Sequence, residues 1–338
     1  MKSIDIKTIQ KFVSNNAIYI VLVVLIIFIT FQNPAFLSLN NFRNILIQSA
    51  TRVIIALGVG GILITQGTDL SAGRQVGLSA VISASLLQTL EYSRRFYPQL
   101  DQIPVWVPLV LCIAVGAVIG LSNGLIVSKL NVPPFIATLG MMVIVYGANS
   151  IYFATEPNSS QPIGGLRPDF TSIGTGYIGS GDTSIPYIVI IATVVALLVW
   201  VLLNKTTFGR NIYAIGGNPQ AARVSGINVT KTLVMVYTLA GSCYALAGYL
   251  EAARTGGATN NYGNMYELDA IAACVVGGVS TSGGIGTVPG MVAGVLIFTV
   301  INYGLTFIGV NPYWQQIVKG LIIVFAVAFD IAKYYVKK

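Results

Sequence analysis

Apolar residues fall into ten runs along the chain, separated by short breaks rich in polar residues, glycine and proline. The first covers 13–39, with its apolar core at 17–31. The others lie near 45–66, 75–90, 105–128, 133–153, 186–203, 233–250, 270–279, 288–307 and 317–329. Most approach the roughly 20 residues a helix needs to cross a bilayer. The run near 270–279 is too short, and glycines follow it, so it predicts a broken or re-entrant helix. The pattern predicts an all-α integral membrane protein of about ten transmembrane helices, a single transmembrane domain over 1–338.

Composition agrees. The chain is 54% hydrophobic and only 9% charged, against about 25% charged in soluble domains. The net charge of +8 comes from basic residues scattered singly between apolar runs, not gathered on one face, which argues against a nucleic-acid partner. They follow the positive-inside rule instead. With the N-terminus inside, ten passes place 1–12, 67–75, 129–132, 204–231 and 330–338 in the cytoplasm. Those segments hold Lys2, Lys7, Lys11, Arg74, Lys129, Lys205, Arg210, Arg223, Lys231, Lys333, Lys337 and Lys338, twelve of the 19 basic residues. Five fall outside, and Arg52 and Lys319 lie within spans. Both termini are therefore expected in the cytoplasm. The first run ends in a turn at 31–34 with no small-residue cleavage site, so it reads as an uncleaved span. Histidine is absent, which excludes a His-containing triad and the usual metal ligand. Cys112, Cys243 and Cys274 lie in apolar runs and read as small buried residues.

The longest basic, loop-like interval is 204–231. Gly216 and Gly217 break the chain, Asn218 suits an N-cap, Pro219 a first turn and Gly226 a left-handed end. A helix over 219–225 follows, about 10 Å long and too short to stand alone. Ala221 and Ala222 beside Arg223 would give a smooth surface for a groove on another protein. A helix folded back on its own membrane domain fits the composition equally well. The longest external loop, 154–185, reads as a solvated connector or as a surface for an external partner.

The two halves repeat. Gly116, Gly120 and Gly124 precede an Asn-Val-Pro-Pro-Phe break at 131–135, and Gly290 and Gly294 precede Asn-Pro-Tyr-Trp at 311–314. If spans two to five match seven to ten, the odd offset inverts one copy, a transporter pattern with substrate at the repeat interface. Two breaks carry acidic residues. At 65–74, Asp69 either pairs with Arg74 or, with Ser71, lines a route for a hydroxylated substrate; lipid exposure would cost it about 2.5–3.5 kcal/mol. At 266–287, Glu267 and Asp269 stand at a helix start or gate, on different faces because they are two residues apart.

Three segments carry a resemblance. GRNIYAIGGNPQAARVSGI (209–227), GTDLSAGRQVG (67–77) and ELDAIAACVVGGVS (267–280) resemble hallmark segments of the permease subunits of bacterial ABC importers for ribose, galactose and related sugars. The layout is similar over about 41–333, and the second segment is most like the galactose/methyl galactoside branch. The resemblance implies a type II importer architecture like that of the vitamin B12 importer, in the bacterial inner membrane. It implies a coupling role, seated on an ATP-hydrolysing subunit, for Gly209, Gly216, Asn218, Ala221, Ala222, Ser225 and Gly226, with Arg210 beside them. It also implies a homodimer and a periplasmic sugar-binding protein. The chain has no Gly-x-x-x-x-Gly-Lys-Ser/Thr phosphate loop, so ATP and Mg belong to the separate ATPase and no cofactor is expected here. Transport would proceed by alternating access. An ion-coupled secondary transporter using Asp69, Glu267 and Asp269 is the competing reading. A membrane enzyme or passive channel has little in its favour.

Overall fold

The computed structural model describes residues 20, 22–179, 181 and 184–335. Lys2, Lys7, Lys11, Lys337 and Lys338, which enter the charge count above, and Asp182 of the external loop lie outside the described residues.

Each of the ten apolar runs forms a helix. They are α1 (Leu22–Gln32), α2 (Leu39–Ile64), α3 (Ala72–Leu86), α4 (Trp106–Lys129) and α5 (Pro134–Ala154), then α7 (Tyr187–Lys205), α10 (Val229–Thr255), α11 (Tyr266–Val276), α12 (Val288–Phe307) and α13 (Pro312–Tyr335). The intervening α6 (Pro168–Thr175), α8 (Thr207–Gly217) and α9 (Pro219–Val224) are short. Among the described residues, six helices, α2, α4, α5, α7, α10 and α12, are long and apolar enough to cross a membrane. Capping is explicit where the chain re-enters a helix. Asn228 accepts from Lys231 N and Thr287 accepts from Gly290 N, each satisfying a donor that the first turn leaves open.

Contacts between helix ends set the chain direction. The start of α2 meets the end of α12, where Tyr303 donates to Asn41 at 2.6 Å. The end of α10 meets the start of α4, where Tyr249 donates to the Val105 carbonyl at 2.8 Å. At the other end of the bundle the close of α2 meets α8 and the 277–287 connection. Thus α2 and α10 run in opposite directions, and α2–α5 and α10–α13 share one order: a long helix, a break, a short helix and two further long ones. The inverted repeat is present, and its halves interlock. Helix α10 packs along α3 and α4 of the first half, and α2 packs against α11 and α12 of the second.

The glycine rows that hinted at the repeat have different partners. A Cβ at Gly116 or Gly120 would meet the Gly241 or Tyr237 carbonyl of α10 at 2.3 or 2.2 Å, whereas Gly290 and Gly294 lie against Gly277 and Ala273 at the end of α11. The repeat rests on helix order, and the glycine match is a coincidence of close packing. The connector reading of 154–185 is also corrected. Phe170 of α6 is fully buried edge-on to Tyr249; Ile163 bridges Ala258 and Leu166 bridges Gln88. The strands β1 (Tyr177–Ile178) and β2 (Ile185–Pro186) close a small hairpin. This loop is a lid packed on the bundle because its aromatic and aliphatic residues have apolar surface to bury.

Candidate functional site

The 204–231 interval forms a platform built as its cap residues imply. The Asn218 side chain accepts from Gln220 N and Ala221 N, both at 3.0 Å, and Gly226 has φ +86°. Helix α9 ends at Val224, with Ser225 as its C-cap. Preceding it, α8 was not foreseen. It starts on the Thr206 cap to Gly209 N and runs through Gly216 and Gly217, which were expected to break the chain; the break falls at Asn218 instead.

Surface expectations for this platform need one correction. Ala222 is 4% exposed, packed with Ile215 and Val229 in a small core of its own. The outward positions are Arg210, Asn218, Gln220, Ala221, Arg223, Ser225 and Gly226, with Val224 at 90% exposure. Gly209 and Gly216 are buried as well: Gly209 lies under the Leu203 carbonyl, and Gly216 touches backbone of two other elements.

The Gly216 junction joins three parts of the fold. Gly284 N donates to the Ile64 carbonyl at 2.8 Å, Gln66 Nε2 donates to the Gly216 carbonyl at 2.8 Å, and Tyr213 donates to the Gly286 carbonyl at 2.8 Å. Burial pushes the Tyr213 phenol above its ordinary value, so it stays protonated and remains a donor. Helix α8 is thereby tied to the end of α2 in one half and to the α11–α12 connection in the other. Gln66, Tyr213 and Gly284 were missed as participants. The available signal was the glycine group at 283–286, which has no phosphate-binding lysine and still needs a reason to be glycine.

Asp69 does not pair with Arg74. It is fully buried, where its Oδ1 accepts from Ser71 N at 2.9 Å and from the Ser71 hydroxyl at 2.5 Å. Gln75 Nε2 and Asn123 Nδ2 donate to Ser71 Oγ at 2.9 and 3.0 Å. This cluster pins the α2–α3 break to α4. Neither Asp69 nor Ser71 reaches an open surface. These hydrogen bonds offset part of the cost of burial, while Asp69 Oδ2, Gln75 Oε1 and Asn123 Oδ1 are buried without a partner.

Glu267 and Asp269 do occupy different faces. Glu267 packs against Gly73 at the start of α3. Asp269 Oδ2 accepts from Arg52 at 3.1 Å and Lys319 at 3.0 Å, and Arg52 also lies 5.3 Å over the Tyr266 ring. The two basic residues stranded within spans therefore share one carboxylate, an arrangement that intramembrane charges require. A second group adjoins it: Glu251 holds Arg254 at 2.7 Å and accepts from Thr51 at 2.7 Å and Tyr266 at 3.2 Å.

Arg74 faces outward. Its two terminal nitrogens donate to Asn261 Oδ1 at 3.3 Å and Asn264 Oδ1 at 2.7 Å, and its guanidinium lies 4.3 Å over the Tyr146 ring. The 256–265 segment descends from the lid end until Tyr262 and Gly263 touch Gly77 and Gly73. From there α11 runs about 16 Å to the junction end. The first turns of α3 and α11 therefore meet inside the bundle. Tyr146 lies about 18 Å along the roughly 31 Å of α5. Arg74, Tyr146, Asn261 and Asn264 thus form a polar surface near half depth, where an arginine facing lipid would cost about 2.5–3.5 kcal/mol, and this corrects the cytoplasmic place that the charge pattern gave to Arg74.

Interlocked inverted repeats, short helices that meet at half depth and a platform tied to both repeats define a membrane transport protein of the permease class. The chain belongs to the family whose model is described as branched-chain amino acid transport system / permease component, which matches residues 41–327. It is 59% identical over 323 residues, 96% of each chain, to the galactose/methyl galactoside import permease protein MglC of Haemophilus influenzae. It is 56% identical over all 338 residues, 100% of each chain, to the MglC of Escherichia coli K12. The ribose import permease protein RbsC of Bacillus subtilis is 39% identical over 341 aligned positions, covering 98% of this chain and 99% of that one. No solved structure matches. The chain is a multi-pass transport component and not an enzyme.

Proposed function

We propose that this chain is the membrane-spanning subunit of an ATP-driven importer that carries galactose or methyl galactoside from periplasm to cytoplasm. Two copies form the pathway, a periplasmic binding protein delivers sugar to the lid end, and an ATPase subunit seats on α8–α9 at the cytoplasmic end. ATP and Mg are used on that subunit. Both termini face the cytoplasm. The choice of sugar rests on the names of the relatives; the mechanism rests on one observation, the Gly216–Ile64–Gly284 junction. A push on α9 reaches the α2–α3 break and the α11–α12 connection together, so both repeats respond to one docking event. That is the requirement of alternating access driven from outside the membrane.

The test is galactose uptake into proteoliposomes holding this chain, with and without the ATPase subunit, the binding protein and internal ATP, with ion gradients collapsed. Uptake that requires all three additions is the expected result. Uptake by the chain alone under an imposed ion gradient would overturn the proposal.

A further inference from the structure

The polar surface at half depth has the chemistry of a sugar contact. Arg74 holds the Oδ1 atoms of Asn261 and Asn264, which fixes both side-chain amides with Nδ2 free to donate. The guanidinium keeps further N–H groups for hydroxyl oxygens. The Tyr146 ring, 38% exposed with the guanidinium over one face, supplies further apolar ring surface for C–H groups. Asn261 and Asn264 are exposed, in a segment held down by Gly263 against Gly73. The surface is therefore rigidly backed and open only on its outer side.

A second observation points to the same place. Glu267 is 7% exposed, and its Oε2 has no hydrogen-bond partner where it lies against Gly73, one residue from Arg74. Glu267 and Arg74 attract one another electrostatically, which weakens the pull on an anionic ligand and suits a neutral polyol. The first turns of α3 and α11 meet here as well.

We propose that Arg74, Asn261 and Asn264, with the Tyr146 ring, form the transit site for the sugar, holding a neutral monosaccharide by neighbouring hydroxyls midway through the membrane. This rests on the importer reading above. The assembly is the full importer of this chain, ATPase subunit and binding protein in proteoliposomes, probed with galactose. The Asn261→Ala/Asn264→Ala double variant is expected to lower uptake per ATP hydrolysed about tenfold, while ATPase stimulation by the loaded binding protein stays within about twofold of the parent. Tyr146→Phe is expected to behave as the parent and Tyr146→Ala to fall with the double variant. Should the double variant fail to assemble, Asn264→Ala alone carries the same expectation. Parental uptake by the asparagine variants would overturn the transit site, and so would equal losses of uptake and ATPase, which mark a structural role. Absence of ATP-driven uptake by the parent importer would instead overturn the importer reading.

Discussion

Replacing Gly216 with alanine sets two opposed effects against each other. Gly216 lies inside α8, so helix propensity alone favours alanine by about 1 kcal/mol. Its added Cβ, however, would sit 1.8 Å from the Ile64 carbonyl oxygen and 2.4 Å from Gly284 N. Both neighbours are backbone, so neither can swing aside as a flexible side chain would. Relief requires the three strands of the junction to part by about 1 Å, which breaks the 2.8 Å bond from Gly284 N to Ile64 and weakens the 2.8 Å bond from Gln66. Each bond is worth about 0.5–1.5 kcal/mol net, and overpacking adds about 1–3 kcal/mol. The balance is roughly 1–5 kcal/mol against the variant after the propensity gain is subtracted. That is confined to one junction, so the protein should still insert and assemble. Uptake in reconstituted importer should fall by about tenfold or more, since about 1.4 kcal/mol corresponds to a factor of ten. ATP hydrolysis should persist. A Gly216→Ala variant with raised thermal stability and full coupling would refute the reasoning, because propensity would then have outweighed contact.

The outer and inner faces of α9 should separate cleanly. Val224→Asp changes a fully outward side chain and is expected to leave the midpoint of thermal unfolding unchanged while weakening co-purification of the ATPase subunit. Ala222→Glu puts a charge into the small core with Ile215 and Val229 and is expected to lower folded yield first. Asp269→Asn leaves Arg52 and Lys319 without their shared anion. Because these groups are partly screened, a loss of about 1–3 kcal/mol is expected, below that of a fully buried pair. Thermal unfolding should show it, and Arg52→Gln in the same chain should recover part of the loss.

The helices of the ten apolar runs and the platform's caps were legible in the sequence because they depend on local rules. Ten apolar runs became ten helices, and Asn218, Pro219 and Gly226 sit where capping chemistry puts them. What was not legible depended on distant partners. Asp69 has Arg74 five residues away, yet it bonds Ser71 and lies beside Asn123, because the α2–α3 break turns inward and α3 carries Arg74 to the other side. Ala222 was taken for surface because alanine has no polar group to place it, and its burial depends on Ile215 and Val229. Glu267 and Asp269 were separated correctly, since helical geometry alone decides that two residues apart means different faces. Their partners came from α2, α3 and α13, which no local pattern names.

The interlocking of the repeats also bears on how the protein is made. Helices α2–α5 leave the ribosome well before α10, yet α10 covers α3 and α4, and α11 and α12 cover α2. Until about residue 255 has been synthesised the glycine row of α4 has no helix to rest on, and until α11 is complete at residue 276 Arg52 lacks the Asp269 carboxylate. The first half therefore waits, partly assembled, for the second, and a chain truncated before α10 would be a substrate for membrane quality control instead of half a transporter.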